Sequence, residues 1–222
     1  MKNDFFNKLP EIVLASTSPQ RARILKELGF SFKVIQVDAD EIVAPTPEET
    51  VLENAKLKAS AAFHSADVPD GQTVITADTI LSMKGKIYGK PGGKKKAREY
   101  LAKFSGRQVD VFTGVAAFVK GKEQGHVALD KAVIRFCPLS RQMLDWYVST
   151  KEPLARAGGL GISLIGEIFV ESLAGSYSCV AGLSKRAVLA VMAQLSGNHT
   201  YVHELLGMHR CSMNLYPFNL SS

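Results

Sequence analysis

Cysteine is scarce: the 222 residues hold three, Cys137, Cys179 and Cys211, odd in number and far apart. Such spacing excludes a disulfide framework and a Cys-x-x-Cys zinc site, and it suits a reducing, cytoplasmic setting. Long apolar runs are missing as well. No segment reaches the roughly 20 apolar residues of a membrane span, and Met1 to Pro10 carries Asp4 without the apolar stretch of a secretory signal. The expectation is a soluble, unexported chain with no membrane partner. Aromatic residues make up only 8% of the chain, and none interleaves with the densest basic run, Lys94-Lys95-Lys96, as a single-strand stacking platform requires. The rest of the net charge of +6 is scattered, so a small anionic ligand is preferred over nucleic acid. Internal repeats and low-complexity linkers are absent too, and 46% hydrophobic content suffices for one core. Residues 11–196 are therefore read as a single domain, and 197–222, which lack clear periodicity, as a C-terminal appendage.

What is present alternates strand and helix signals, the mark of an α/β protein. Ile12 to Leu14 and Phe32 to Val37 read as short strands, and a helix follows from about Pro47 to Ser65 with Thr46 or Thr50 as its cap. Thr73 to Leu81 is β-branched and apolar around Asp78, and residues 83–88 form a turn into a short return strand. Lys94 to Phe104 is helical. Val109 to Val119 and Val127 to Phe136 flank the polar tip 120–125 as a long antiparallel hairpin, which makes the sheet mixed. Ser140 caps a helix to about Ser149, the glycine-rich stretch 157–166 is not helix, and Ser184 to Leu195 is helix again.

Four groups of residues carry chemistry. Ser18 and Pro19 begin a helix directly after the first strand, and Ser16, Ser18 and Arg21 surround that start. Unpaired amides, the positive end of the helix dipole, two hydroxyls and a guanidinium make a phosphate site. Asp38, Asp40 and Glu41 follow the second strand, where carboxylates suit a hard cation. Asp78 is a carboxylate inside an apolar strand, a costly placement unless it is paired, metal-bound or set at a site. Lys58, on an alanine-rich helix, and Lys90, after the return strand, are candidate phosphate ligands. The segment from Gly85 to Pro91 is no Walker A loop, because no Ser or Thr follows Lys90. His199, His203 and His209 read as surface histidines rather than a metal site. Trp146 and Tyr147 read as core or dimer contact, and Cys179 as a buried apolar residue.

In order along Ile12 to Gln194, these pieces resemble the Maf family of nucleoside triphosphate pyrophosphatases. The resemblance rests on Ser16, Ser18, Pro19 and Arg21; Asp40-Glu41; Ala55, Lys58 and Ala59; Asp78-Thr79; Gly89-Lys90-Pro91; Ser105-Gly106 with Thr113-Gly114; and a C-terminal block at 152–158 and 175–183. It implies an elongated mixed β-sheet flanked by helices, with a deep cleft between two lobes of one catalytic domain, and often a homodimer. It also implies hydrolysis between the α and β phosphates, releasing a nucleoside monophosphate and pyrophosphate. A divalent cation, Mg2+, Mn2+ or Co2+, would be held by Glu41 and Asp78. Asp78 is the candidate base and Glu41 the candidate metal ligand, roles that the sequence itself does not separate. Ser16, Ser18, Gln20, Arg21, Lys58, Lys90 and Ser163 would bind substrate. Two of these depart from the family pattern: Gln20 stands where an arginine is usual, and Ser163 where members acting on dTTP and UTP carry glutamine. Leu160 replaces a tyrosine, and Ser184 a proline. Asp78-Thr79 and Ala157-Gly158 fit the pyrimidine branch, so dTTP and UTP are the expected substrates. The alternatives are 7-methyl-GTP or another modified nucleotide, or a weakly active nucleotide-binding regulator of cell division.

Overall fold

In the computed structural model, which describes residues 12–196 and 215–220, eight strands form one mixed sheet. The first, β1 (Ile12–Ala15), lies parallel to both β2 (Phe32–Ile35) and β3 (Thr73–Met83). The other ladders are antiparallel. Thus β3 pairs with β4 (Lys86–Tyr88) and with β5 (Gln108–Val119), and β5 with β6 (Gln124–Phe136). At its far edge β6 carries β7 (Val170–Ala174) and β8 (Leu215–Asn219). Six helices accompany the sheet in the described residues: α1 (Pro19–Glu27), α2 (Pro47–His64), α3 (Lys94–Phe104), α4 (Arg141–Ser149), α5 (Tyr177–Val180) and α6 (Lys185–Ser196). Among the described residues, no helix is long and apolar enough to cross a membrane.

Strand alternation assigns each side chain of β3 to one face. Ile75 and Ala77 join Leu14, Val115, Leu25, Val188 and Met192 under α1 and α6. Val74 faces the other way with Val13, Ala116 and Phe118, against Ala55, Ala59 and Ala62 of α2. Asp78 shares the parity of Val74 and so meets α2, whereas Thr79 meets the α5–α6 connection. The apolar face of α2 is almost all alanine, which lets the helix lie close to the sheet, and its start is fixed by a reciprocal capping box between Thr46 and Glu49. A third cluster, with Phe104, Phe136, Tyr147 and Phe169 fully buried, packs α3 and α4 against the far half of the hairpin.

The expected mixed sheet flanked by helices is the observed architecture, and the differences are local. β2 stops at Ile35 and residues 36–46 run without regular structure. The stretch 157–166 is irregular apart from short 3-10 turns, as its glycines require: Gly158 and Gly159 both have positive φ. Three elements were not foreseen: β7, the one-turn α5 and β8. The appendage is corrected at its end. Leu215–Asn219 adds a strand to β6, and Phe218 and Leu220 pack with the α2 cluster, so this segment belongs to the main sheet. Trp146 is 49% exposed rather than core, whereas its neighbour Tyr147 is fully buried. His199, His203, His209 and Cys211 lie outside the described residues.

Candidate active site

The nine residues expected to catalyse or to bind substrate or metal all border one cavity of about 780 Å3 beyond the end of β1 and beside the middle of β3. Ser16, Ser18, Gln20 and Arg21 come from the β1–α1 junction, Glu41 from the irregular lip after β2, and Lys58 from α2. Asp78 comes from β3, Lys90 from the loop after β4, and Ser163 from the glycine-rich wall. Asp38 and Asp40 do not border it.

The helix start is open rather than capped. Ser18 occupies the N-cap position with extended backbone, but its side chain makes no capping hydrogen bond. The first-turn amides of Gln20 and Arg21 have no intrahelical acceptor, so they are left to the cavity. Arg21 is fixed from behind: its Nε donates to the Gly182 carbonyl at 2.8 Å and its Nη1 to Ser16 Oγ at 3.3 Å. Burial lowers the Arg21 pKa, against the raising effect of Asp78 and Glu41. The guanidinium stays charged at neutral pH all the same. Gly182 is held in turn by Thr79, whose Oγ1 donates to its carbonyl at 3.3 Å and bonds Thr113 Oγ1 at 2.8 Å.

At the centre stands Lys58. Its ammonium is 2.7 Å from Asp78 Oδ1 and 2.8 Å from Glu41 Oε1, so it joins the two carboxylates. Asp78 is 6% exposed, and its second oxygen accepts from Asn54 Nδ2 at 3.2 Å. The buried carboxylate is therefore both charge-paired and hydrogen-bonded, as the sequence argument demanded. Glu41, with 53% of its side chain exposed, stands at the open side of the pair. Among the described residues no three His, Cys, Asp or Glu side chains form a cluster that could hold a metal ion. The carboxylates lining the cavity, among the described residues, are Glu41 and Asp78.

The opposite wall is braced by a buried latch. Tyr147 donates to Glu152 Oε1 at 2.8 Å and accepts from Gly161 N at 3.0 Å, while Glu152 also accepts from the Ile165 and Gly166 amides. A side chain at Gly161 would collide with the Glu152 carboxylate. Burial is the main cause that pushes the Tyr147 hydroxyl well above its usual range, so it remains a neutral donor. This latch places Leu160, Ile162 and Ser163 on the cavity.

Sequence reasoning passed over two residues, Asn54 and Arg156, and gave Thr79 no role beyond its place in the Asp78-Thr79 pair. Asn54 lies one helical turn before Lys58, a spacing that puts both on the same face. Arg156 borders the cavity, and its Nε is buried without a hydrogen-bond partner. Its signal was a cation directly before Ala157-Gly158. Thr79 follows Asp78, and the strand period sends it to the opposite face. Ser184 lies away from the cavity: its hydroxyl caps α6 through Ala187 N and donates to buried Asp130 at 2.6 Å.

Fold and site together define an α/β protein with a cationic cavity built around a carboxylate–ammonium–carboxylate triad. Residues 11–195 match the family model described as Maf-like protein. A dTTP/UTP pyrophosphatase of Symbiobacterium thermophilum is 38% identical over 188 residues, covering 84% of this chain and 94% of that one. The dTTP/UTP pyrophosphatase of Pseudoalteromonas atlantica is 35% identical, with 85% and 98% covered, and that of Bacillus anthracis 34% identical, with 86% and 98% covered. Among solved structures, the Staphylococcus aureus Ham1 protein aligns with a TM-score of 0.41 at 20% identity over 57% of this chain and 72% of that one. That likeness is too distant to carry an argument. The chain belongs to the Maf-like family.

Proposed function

We propose that the protein is a nucleoside triphosphate pyrophosphatase acting on pyrimidine nucleotides, with the cavity as its substrate cleft. The observation that carries this reading is the Lys58 ammonium held between Glu41 and Asp78 beside an uncapped helix start. The relatives' shared name, dTTP/UTP pyrophosphatase, supports the pyrimidine choice over 7-methyl-GTP.

Charge supports the reaction class. The cavity is lined by four cations, Arg21, Lys58, Lys90 and Arg156, and two carboxylates. A triphosphate brings roughly four negative charges that must be countered before water can approach. The surplus of cations over carboxylates is too small for that, so a divalent ion fits the balance. Glu41 and Asp78 would hold it, the substrate's phosphate oxygens and water completing the shell that a Mg2+-type ion prefers. When bound, such an ion supplies charge neutralisation and a more acidic water.

The chain's own residues do the rest. The α1 amides, the hydroxyls of Ser16 and Ser18, and Arg21 bind the phosphate chain, and Lys90 and Arg156 close on it from the rim. Lys58 turns from the carboxylates to a phosphate oxygen as the substrate docks. Asp78 takes a proton from the attacking water. The new bond forms between the water oxygen and the α-phosphorus, the bond to the β-phosphate oxygen breaks, and pyrophosphate leaves with the electron pair. Turnover in heavy-oxygen water tests this. The label is expected in the monophosphate, and label in pyrophosphate or in inorganic phosphate overturns the reading.

A further inference from the structure

Thr50, Asn54 and Lys58 recur every four residues and form one polar stripe along α2. The lip runs antiparallel beside it, so each member of the stripe takes one lip residue in turn. Thr50 Oγ1 accepts from Ala44 N at 3.0 Å, Asn54 holds Ile42, and Lys58 pairs with Glu41. Lys58 and Asn54 both reach the sheet as well, at the two oxygens of Asp78, and Asn54 does so while bonding the lip backbone. Only 3% exposed, it accepts from Ile42 N at 2.8 Å through Oδ1 and donates through Nδ2 to Ile42 O at 3.1 Å and Asp78 Oδ2 at 3.2 Å. The amide has one workable orientation. Flipped, its NH2 would face the Ile42 N–H and its oxygen would face the Asp78 carboxylate.

We infer that Asn54 is a positioning residue: one planar amide holds the backbone next to Glu41 and one oxygen of Asp78, and so sets the distance between the two carboxylates. This rests on the function proposed above. Without the amide, the irregular lip loses its doubly bonded anchor next to Glu41 and keeps the Thr50 bond to Ala44 and the Lys58 pair with Glu41 itself. Of the cations proposed to grip the phosphate chain, Arg21, Lys90 and Arg156 come from segments other than α2. The inference therefore separates reaction geometry from substrate grip.

Two variants test it. Asn54→Leu keeps the volume and removes every bond; Asn54→Asp keeps the shape and the acceptor for Ile42 N–H but cannot donate to Asp78. Both are expected to lower kcat for dTTP by about 100-fold, the cost of a misplacement near 1 Å. Binding of α,β-methylene-dTTP without metal should stay within about threefold. Manganese affinity, titrated by electron paramagnetic resonance without nucleotide, should weaken about tenfold or more, because the spacing of its two carboxylates is lost. A lower melting temperature with kcat and manganese affinity both unchanged would reduce Asn54 to a structural residue. Should Asn54→Leu fail to fold, the same-shaped Asn54→Asp decides: wild-type kcat and manganese affinity overturn the inference. A wild-type protein that yields no monophosphate defeats the proposed function instead, and the manganese titration then judges Asn54 by itself.

Discussion

Replacing Gly114 by alanine should damage stability and turnover together, for one geometric reason. Gly114 pairs with Asp78 across β3 and β5 and lies beneath α2. A Cβ there would stand 2.7 Å from the Val51 carbonyl carbon and closer still to its oxygen, where ordinary contact begins at 3.4 Å. The obstacle is helix backbone, which cannot swing aside, so α2 must retreat by about 0.7 Å or more. Overpacking of this kind costs about 1–3 kcal/mol. Restricting the unfolded chain returns about 0.4–1 kcal/mol, since the φ of Gly114 is not positive and alanine can adopt it. A net loss of about 1–2 kcal/mol shifts the urea midpoint down by about 0.5–1 M for a slope near 2 kcal/mol per M. The same retreat draws Asn54 and Lys58 away from Asp78, and a displacement on the order of 1 Å at reacting groups costs about 100-fold in rate. Urea melts and steady-state kinetics on one preparation check both. An unchanged midpoint together with wild-type turnover would refute the claim that α2 is seated on this glycine.

Three further outcomes are expected. Arg156→Ala should raise KM for the triphosphate about tenfold, the worth of one charge-assisted hydrogen bond, with kcat little changed; steady-state kinetics at saturating metal would show it. Gln20→Arg with Ser163→Gln should raise pyrimidine triphosphate turnover by about tenfold. There is room for the longer side chains, because both positions also border a neighbouring hollow of about 270 Å3; no rise would mean that these positions do not set the preference. Burial pushes the Cys179 thiol up to about 12, with Asp130 adding to the effect. A raised pKa favours the neutral form, so at pH 8 only on the order of one thiol in ten thousand is thiolate. Iodoacetamide should therefore spare Cys179 in the folded protein while labelling the half-buried Cys137, as peptide mass spectrometry would reveal.

The parts legible in the sequence were those set by local rules. The β-branched, apolar run from Thr73 to Leu81 marked Asp78 as a carboxylate in an apolar strand, and Ser18-Pro19 marked a helix start. The same local reading overreached at Ser18, which holds the N-cap position without using its hydroxyl to cap. Residue type and position alone gave Glu41 as one of three acids in a turn, and the family resemblance was needed to name it as the ligand. What singles it out from Asp38 and Asp40 is the stripe on α2, a contact between segments that periodicity does not reveal. Asn54 and Arg156 were missed because their partners, the lip and the glycine-rich wall, have no regular structure from which a side-chain direction could be read. The strand at Leu215–Asn219 was hidden by Pro217, which argues against a strand interior. It is tolerated because β8 lies at an edge, paired among the described residues with β6 alone. Its partner is also some 90 residues away, beyond the reach of any window over the sequence.

The central claim is that Asp78 and its neighbours hydrolyse a pyrimidine triphosphate at the α-phosphorus. The most direct test runs wild type and Asp78→Asn side by side on dTTP, UTP, 7-methyl-GTP and the purine triphosphates, with magnesium, manganese or cobalt, identifying products by mass. The account predicts metal-dependent conversion of dTTP and UTP to monophosphate and pyrophosphate by the wild type, and none by a folded Asp78→Asn. Wild-type rates from that variant, or a wild type that binds nucleotide yet releases no pyrophosphate from any of them, would contradict it.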